Sequence, residues 1–419
     1  MPGLLYLRRP RGRARGDGGG PNERKARHSR CWRGLGGLTA ALALARQGQS
    51  VLVLEGAPSF DAIGFGIQFG PNVFHVFDRI GVSDAVLERA DSPSAVLMMD
   101  GLTGEEVTRV PTGPSLRARF KYPYIVIHRI DLHDVLLDAC RRDPLITLEA
   151  DAMVTGFVDN GGGVAVTIKD GRSFEGAALV GADGFRSRTR AQLFADGDPI
   201  PNGYMAFRTI VPMRDVTADV QRDVAALWAG PGFHIVHYPL RHGTLFNIAA
   251  VFRRSMSSER GDIASYRVEL EHAYRDAHPT MKALLSMLDL ERRQAVGDRD
   301  PIRHWHKGRI ALLGDAAHPT LQSLAQGACM AIEDGLCLAQ CIAAANDDFQ
   351  SAFRRYENAR VVRTARVTFE SRRIWDIYHS DGIRRDVNWQ MLRDRNEADT
   401  LECLAWLYGG FALPPVAIH

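Results

Sequence analysis

The sequence predicts an α/β protein: a Rossmann-like domain built from discontinuous segments, an inserted antiparallel-sheet domain, and helices towards the C-terminal end. Three observations predict it. The stretch "GLGGLTAALALARQGQSVLVLE" (residues 34–55) joins a glycine-rich turn to a small-residue helix and then to the continuous apolar run Val51–Leu54. Two more runs suited to buried parallel strands, Ala177–Gly181 and Ile310–Leu313, lie far downstream. Between them, Tyr204 to Phe252 has the longer strands and tight turns of an antiparallel sheet.

The first element is the exception to this pattern. Residues 1–33 carry nine arginines and one lysine against Asp17 and Glu23, a net charge of +8, while the whole chain carries +3. The remainder is therefore mildly acidic, and the basic pI belongs to the start of the chain. The run before the glycines, Lys25–Cys31, is polar and basic where a buried strand would be apolar. In the pattern G-x-G-x-x-G, Gly34 and Gly37 fill the last two places and Trp32 stands at the first. Residues 1–32 thus read as a non-native start or a disordered basic arm, with a transit peptide as a further alternative, and the domain's first strand as missing or corrupted.

From Gly34 onward each element has its reason. The alanine- and leucine-rich run Leu38–Ala45 favours helix, and Gly48 follows where a helix would stop. Glu55 ends the next strand, eighteen residues after Gly37, which suits a carboxylate that holds a ribose hydroxyl. The glycines let backbone approach a pyrophosphate, and the helix start offers amides to it. A glycine loop then leads to a helix from Pro71 with the stripe Val73, Phe77, Ile80, and "RIDLHDVLLDACRR" predicts a second amphipathic helix opened by Asp131. A hairpin is expected across Asn160–Gly163. Helices are expected in Ile263–Leu288, from Gly327, and through the remainder. The nucleotide-binding domain would comprise residues 33–95, 125–200 and 300–345, the sheet domain 96–124 and 201–299, and a helical region 346–419.

Composition narrows the function classes. The chain has 419 residues, 45% hydrophobic and 24% charged, which is enough for two sizeable cores. No apolar run reaches the length of a membrane span, so no stable membrane insertion is expected. Six cysteines form no C-x-x-C pair, which argues against a zinc or disulfide framework and for a reducing, cytoplasmic setting. Cys329, Cys337 and Cys341 share a helical face and read as small core residues, with no metal site expected.

"LVGADGFRSRTR" (Leu179–Arg190) and "RIALLGDAAHPTLQSLAQGACMAIEDG" (Arg309–Gly335), downstream of the glycine segment, resemble the signature segments of the single-component FAD-dependent aromatic hydroxylases, flavoprotein monooxygenases of the p-hydroxybenzoate-hydroxylase fold. The resemblance spans about residues 33 to 375. The glycine fingerprint alone is weak; the two later segments in this order and spacing are strong. The details "HPTLQSLAQGACMAIEDG" and "FHIVHYPL" are most similar to 3-hydroxybenzoate 6-hydroxylases, with salicylate hydroxylases as near relatives.

This resemblance implies FAD held by Gly34, Gly37, Glu55, Arg129, Asp183 and Asp315, and by Gly327 and Ala328 at the start of a helix whose positive end would face the flavin. It implies NADH as a transient co-substrate, since only one glycine-rich unit is present, O2 as oxidant through a flavin hydroperoxide, a small aromatic acid as substrate, and a homodimer; no nucleic-acid partner is expected. Strand alternation independently places His234, Val236 and Tyr238 on one face and His237 on the other. By the resemblance, His234 would take the proton of the ring hydroxyl, and Tyr238 and Gln322 would orient the ring. The residues alone leave His234 open to being a satisfied core histidine, Asp315 a turn residue, and Arg129 a surface salt bridge. The function implied is conversion of 3-hydroxybenzoate to gentisate. Another hydroxybenzoate such as salicylate, or a flavin-free remnant with a spoiled pyrophosphate site, is the alternative.

Overall fold

The computed structural model describes residues 4–7, 34–60, 64–254, 263–346 and 348–411. Its strands are β1 (Leu4–Leu7), β2 (Val51–Leu54), β3 (Gly66–Phe69), β4 (Ala95–Asp100), β5 (Glu106–Pro111), β6 (Ile125–His128), β7 (Ile146–Glu149), β8 (Val154–Asp159), β9 (Val164–Ile168), β10 (Ser173–Gly176), β11 (Ala178–Gly181), β12 (Ile200–Pro212), β13 (Ala225–Gly230), β14 (Phe233–Leu240), β15 (Leu245–Arg253), β16 (Arg293–Asp298), β17 (His306–Lys307) and β18 (Ile310–Leu312). The helices are α1 (Leu35–Ala45), α2 (Phe74–Ile80), α3 (Ser83–Arg89), α4 (Pro114–Phe120), α5 (Arg129–Arg142), α6 (Arg188–Phe194), α7 (Ile263–Ala273), α8 (Pro279–Ser286), α9 (Gly327–Ala343), α10 (Phe349–Tyr378), α11 (Gly382–Arg393), α12 (Glu397–Cys403) and α13 (Ala405–Tyr408).

One sheet has the order β17-β18-β11-β1-β2-β7, and a second has the order β16-β12-β15-β14-β13-β4-β5. The first brings together the apolar runs Val51–Leu54, Ala178–Gly181 and Ile310–Leu312, from three separated parts of the chain. All eleven residues of α1 are buried, which explains why that helix is written in alanine, glycine and leucine. It crosses α9 at two glycines. A Cβ on Gly36 would stand 2.8 Å from the Ala331 Cβ and the Leu313 Cδ2, and one on Gly335 would stand 2.8 Å from the Ala40 amide. Among the helix's glycines, Gly36 is therefore the one whose missing side chain lets the elements close. A Cβ on Gly37 would have 3.6 Å to its nearest neighbour, an ordinary contact.

The place of the first strand is not vacant. It is filled by β1, four residues inside the span read as a basic arm. β1 lies between β2 and β11 and runs antiparallel to both, with Leu5 opposite Val53 and Val180, and Leu7 opposite Val51 and Ala178. The physical reason is local. Leu4–Leu7 is the one apolar run in the first 33 residues, and burying Leu5 and Leu7 is worth about 1.5–3 kcal/mol each before entropy. Lys25–Cys31 and Trp32 lie outside the described residues.

Two further expectations shift in detail. The helix expected to open at Asp131 begins at Arg129, because His128 caps it: its ring nitrogen accepts from the Ile130 amide at 3.2 Å. Asp131 sits in the first turn, where a carboxylate suits the helix dipole. The sheet containing Tyr204–Phe252 is antiparallel except at one junction, where β13 pairs parallel with β4. The hairpin at Asn160–Gly163 joins β8 to β9, closed by the Asn160 amide on the Gly163 carbonyl. No described helix is long and apolar enough to cross a membrane.

Candidate active site

The site is built on one face of the larger sheet. The register sets Val236 of β14 beside Ala249 of β15, and Ala249 beside Arg208 of β12. One step along, His234 pairs with Val251 and Val251 with Ala206; one step the other way, Tyr238 pairs with Asn247 and Asn247 with Ile210. With the side-chain period of two, all of these share a face. Its centre is paved by small residues and its polar groups stand around them. The opposite face is a hydrophobic core holding Phe207, Phe233, Ile235, Ile248 and Phe252. His237 belongs to that side. Its Nε2 accepts from the Trp228 indole at 3.0 Å, its ring lies against Phe246, and burial pulls its pKa down to about 3, so the imidazole is neutral.

Each polar group on the near face is held differently. Tyr238 is buried, and burial pushes its hydroxyl above the ordinary range. Its ring lies on the backbone of β3, where a Cβ on Gly66 would overlap the ring, so that position accepts only glycine. The Gly66 amide donates to the Asn247 side chain at 2.9 Å, and the Tyr124 hydroxyl donates to Gln68 on the same strand. Arg208 donates from Nη2 to Gln322 Oε1 at 2.7 Å, while its buried Nε has no hydrogen-bond partner. Burial lowers the Arg208 pKa. His234 is 2% exposed, and burial, with His379 next, holds its pKa well below the usual value. Its Nδ1 lies 2.9 Å from His379 Nε2, and its ring meets Trp375 edge to face.

A second group of residues gathers at the start of α9. Asp315 is the only exposed residue between Ile310 and Pro319, so its carboxylate is accessible while the loop around it is buried. Burial raises its pKa, opposed by His318 and then Arg129. A Cβ on Gly327 would stand 3.8 Å from Asp315 Oδ1, so the carboxylate borders the first turn of α9, which includes Ala328. The loop is pinned from behind by Asp334, whose Oδ2 accepts from the Gly314 amide at 3.1 Å and from His318 Nε2 at 2.5 Å.

A third group lies at the carboxyl edge of the smaller sheet. Gly34 caps α1 next to the Ala182 carbonyl, and Gly37 is in the helix's first turn. Glu55, at the end of β2, is buried and accepts from the Ala57 amide at 2.9 Å. Asp183, after β11, accepts from the Ser187 hydroxyl at 2.6 Å and the Thr189 amide at 2.9 Å. Asp183 therefore shapes the turn into α6, and also lines a cleft with Leu54, Gly56, Ala152 and Gln192.

The residues expected to hold a cofactor thus fall into two clusters, while His234 and Tyr238 stand on the sheet face and Gln322 meets it from a 3-10 turn through Arg208. The donor set fits a dinucleotide. It has two helix N-termini for negative charge, an accessible carboxylate for a polyol hydroxyl, and a helix-opening glycine that leaves the space beside that carboxylate uncrowded. Sequence reasoning missed Arg208 and His379. An arginine inside the apolar strand "YMAFRTIVP" was a usable signal for the first. No spacing links His379 to a strand 145 residues away.

Comparison with known proteins gives a consistent picture. The FAD binding domain family matches residues 33–371. The 3-hydroxybenzoate 6-hydroxylase of Polaromonas naphthalenivorans is 39% identical over 376 residues, covering 90% of this chain and 94% of that protein. The enzyme of the same name from Klebsiella oxytoca is 36% identical over the same coverage. Among solved structures, Klebsiella pneumoniae HpxO complexed with FAD and uric acid is 25% identical, with a TM-score of 0.78 over 90% of this chain and 95% of that one. A salicylate hydroxylase substrate complex shares the fold at 22% identity and a TM-score of 0.73, over 90% and 93%.

Proposed function

This chain belongs to the FAD binding domain family and is an FAD-dependent aromatic monooxygenase, and on that premise we propose that it converts 3-hydroxybenzoate to gentisate at the expense of NADH and O2. The single observation that carries the substrate is the pairing of a neutral histidine and an arginine on one sheet face, two strands and two residues apart, over the small residues Val236 and Ala249. A hydroxylated benzoate has the matching parts: a phenol for His234 and a carboxylate for Arg208.

FAD would be held by Asp315, Arg129 and the first turn of α9 at one end and by Gly34, Gly37, Glu55 and Asp183 at the other; when bound and reduced by NADH, it supplies the activated oxygen. The residues do the remainder. His234 takes the phenol proton, and the resulting phenolate pushes electron density to the ring's ortho and para carbons. Arg208, with a spare Nε and with Gln322 on its Nη2, supports the carboxylate by a charge-assisted hydrogen bond. Tyr238 and the apolar floor fix the ring plane and exclude water. With a carboxylate meta to the hydroxyl, attack para to the hydroxyl yields gentisate.

The test is flavin content followed by NADH oxidation over 2-, 3- and 4-hydroxybenzoate, with product identification. The proposal expects yellow protein, stimulation greatest with 3-hydroxybenzoate, and gentisate as product. Colourless protein, or preference for 2-hydroxybenzoate, overturns it.

A further inference from the structure

His379 is the residue that ends α10. Its Nδ1 lies 2.9 Å from the Trp375 carbonyl oxygen. A carbonyl only accepts, so Nδ1 carries a proton. The ring is neutral: burial lowers its pKa, outweighing the Trp375 carbonyl, and Arg253 lowers it further. Nε2 of His379 therefore carries a lone pair, and the nitrogen 2.9 Å from it is His234 Nδ1. That contact is a hydrogen bond only if His234 Nδ1 donates. The proton of neutral His234 is thereby fixed on Nδ1, and Nε2 becomes the acceptor. A histidine is a base only through the nitrogen that lacks the proton, so this chain of bonds sets which atom of His234 can receive one.

Resting on the hydroxybenzoate reading above, we infer that His379 is a positioning residue for the reaction: it holds His234 in the tautomer whose Nε2 accepts the phenol proton, and its own Nε2 lone pair supports the imidazolium that results. The balance is simple. The phenol O–H bond breaks and an N–H bond forms at His234 Nε2. His234 then carries both ring protons, with Nδ1–H still donated to His379 Nε2, and the substrate is left as phenolate. The groups facing His379 are Arg253 and Tyr204 from the sheet, with the Tyr204 ring 4.7 Å away, while Trp375, Asp376 and Tyr378 flank it on α10. Tyr274 occupies the His234 carbonyl at 2.8 Å and holds that strand residue in place.

The experiment uses the FAD-loaded enzyme and the variants His379→Leu and His379→Gln. Two quantities are read: the pH at which bound 3-hydroxybenzoate gains phenolate absorbance, and the rate of gentisate formation. Leucine removes the acceptor, so phenolate should appear at a pH higher by about one unit or more, with product formation down about tenfold to a hundredfold, less than the full loss of a general base. Glutamine Oε1 can accept from His234 Nδ1–H and should return the phenolate profile to within a few tenths of a unit. A purely structural role would give no such rescue of the profile. Two results overturn the inference: a His379→Leu enzyme with wild-type profile and rate, or a folded His379→Gln enzyme as impaired as the leucine variant. If the leucine variant fails to fold, the glutamine variant decides alone. A wild-type enzyme that hydroxylates no hydroxybenzoate overturns the functional reading and this inference with it; gentisate from wild type with an unmoved leucine variant overturns this inference alone.

Discussion

Between α9 and α10, Glu333, Asp334 and Arg360 are fully buried, and each charge is met: Arg360 donates to Glu333 and to Asp334 at 2.7 Å, and Arg363 donates to Glu333 at 2.8 Å. On the sheet face the opposite holds. Arg208 has a buried Nε with no partner, and no ion pair joins it among the described residues. His234 is neutral, with its bond to His379 spoken for at one nitrogen. The first cluster is saturated and has nothing left to offer a ligand. The second keeps hydrogen-bonding capacity that a substrate could complete, and an unmet buried donor costs free energy until it does. Saturation marks scaffold, and shortfall marks the site. The saturated cluster also supports the group at the start of α9, since Asp334 pins the loop that carries Asp315.

Breaking the saturated cluster should have the largest effect. Arg360→Ala removes the cation shared by two buried carboxylates, leaving Glu333 to Arg363 and Asp334 to His318, and the expected loss is about 3–5 kcal/mol of folding stability in a denaturant titration. A change below about 1 kcal/mol would mean that the cluster is wetter or looser than described. Arg208→Met should be gentler and of a different kind. It should raise the KM for 3-hydroxybenzoate about tenfold to a hundredfold, the worth of a hydrogen bond to a charged group, with little change in the melting temperature. An unchanged KM would remove Arg208 from the pocket.

Acid sharpens the contrast. Burial raises the Asp334 pKa, but His318 and Arg360 outweigh it and hold the group at about 2, below its ordinary 3.8. Its contribution is complete above about pH 4 and is lost as pH falls through 2, roughly 2 kcal/mol in all. Stability curves of wild type and Asp334→Asn should therefore converge between pH 4 and pH 2; parallel curves would contradict this assignment. The smallest effect is expected from Gln322→Ala, which removes one neutral acceptor from Arg208. Its cost in kcat/KM should be about threefold to tenfold, and a loss as large as that of Arg208→Met would show that Gln322 contacts the substrate directly.

How much of this was legible in the sequence follows from the range of each interaction. Strand alternation is local and period two, so the order of residues alone places His234, Val236 and Tyr238 on one face and His237 on the other. The buried strand runs were equally legible, because a strand covered on both faces is apolar throughout. The partner of His234 was not, since His379 reaches it from the end of a thirty-residue helix by tertiary packing. Nor was β1: Leu4–Leu7 is short, and its antiparallel seat between β2 and β11 is set by the slot those strands leave, not by its own pattern. The helix start at Arg129 was missed because histidine is an uncommon cap. Asp183 and Glu55 stood where spacing put them, but their internal hydrogen bonds emerge only once the turns around them are folded.

The central claim is that the sheet face bearing His234 ionises the substrate. It is tested most directly by gentisate formed per NADH oxidised in His234→Ala and His237→Ala, measured beside each variant's melting temperature. Without its base, the His234 variant should still oxidise NADH when 3-hydroxybenzoate is present, but gentisate should fall about a hundredfold to ten-thousandfold and hydrogen peroxide should account for the difference. His237, on the core side with Trp228, should alter stability and leave the ratio near that of wild type. A His234→Ala enzyme that makes gentisate at the wild-type ratio, or a folded His237→Ala enzyme that makes none, would contradict the account.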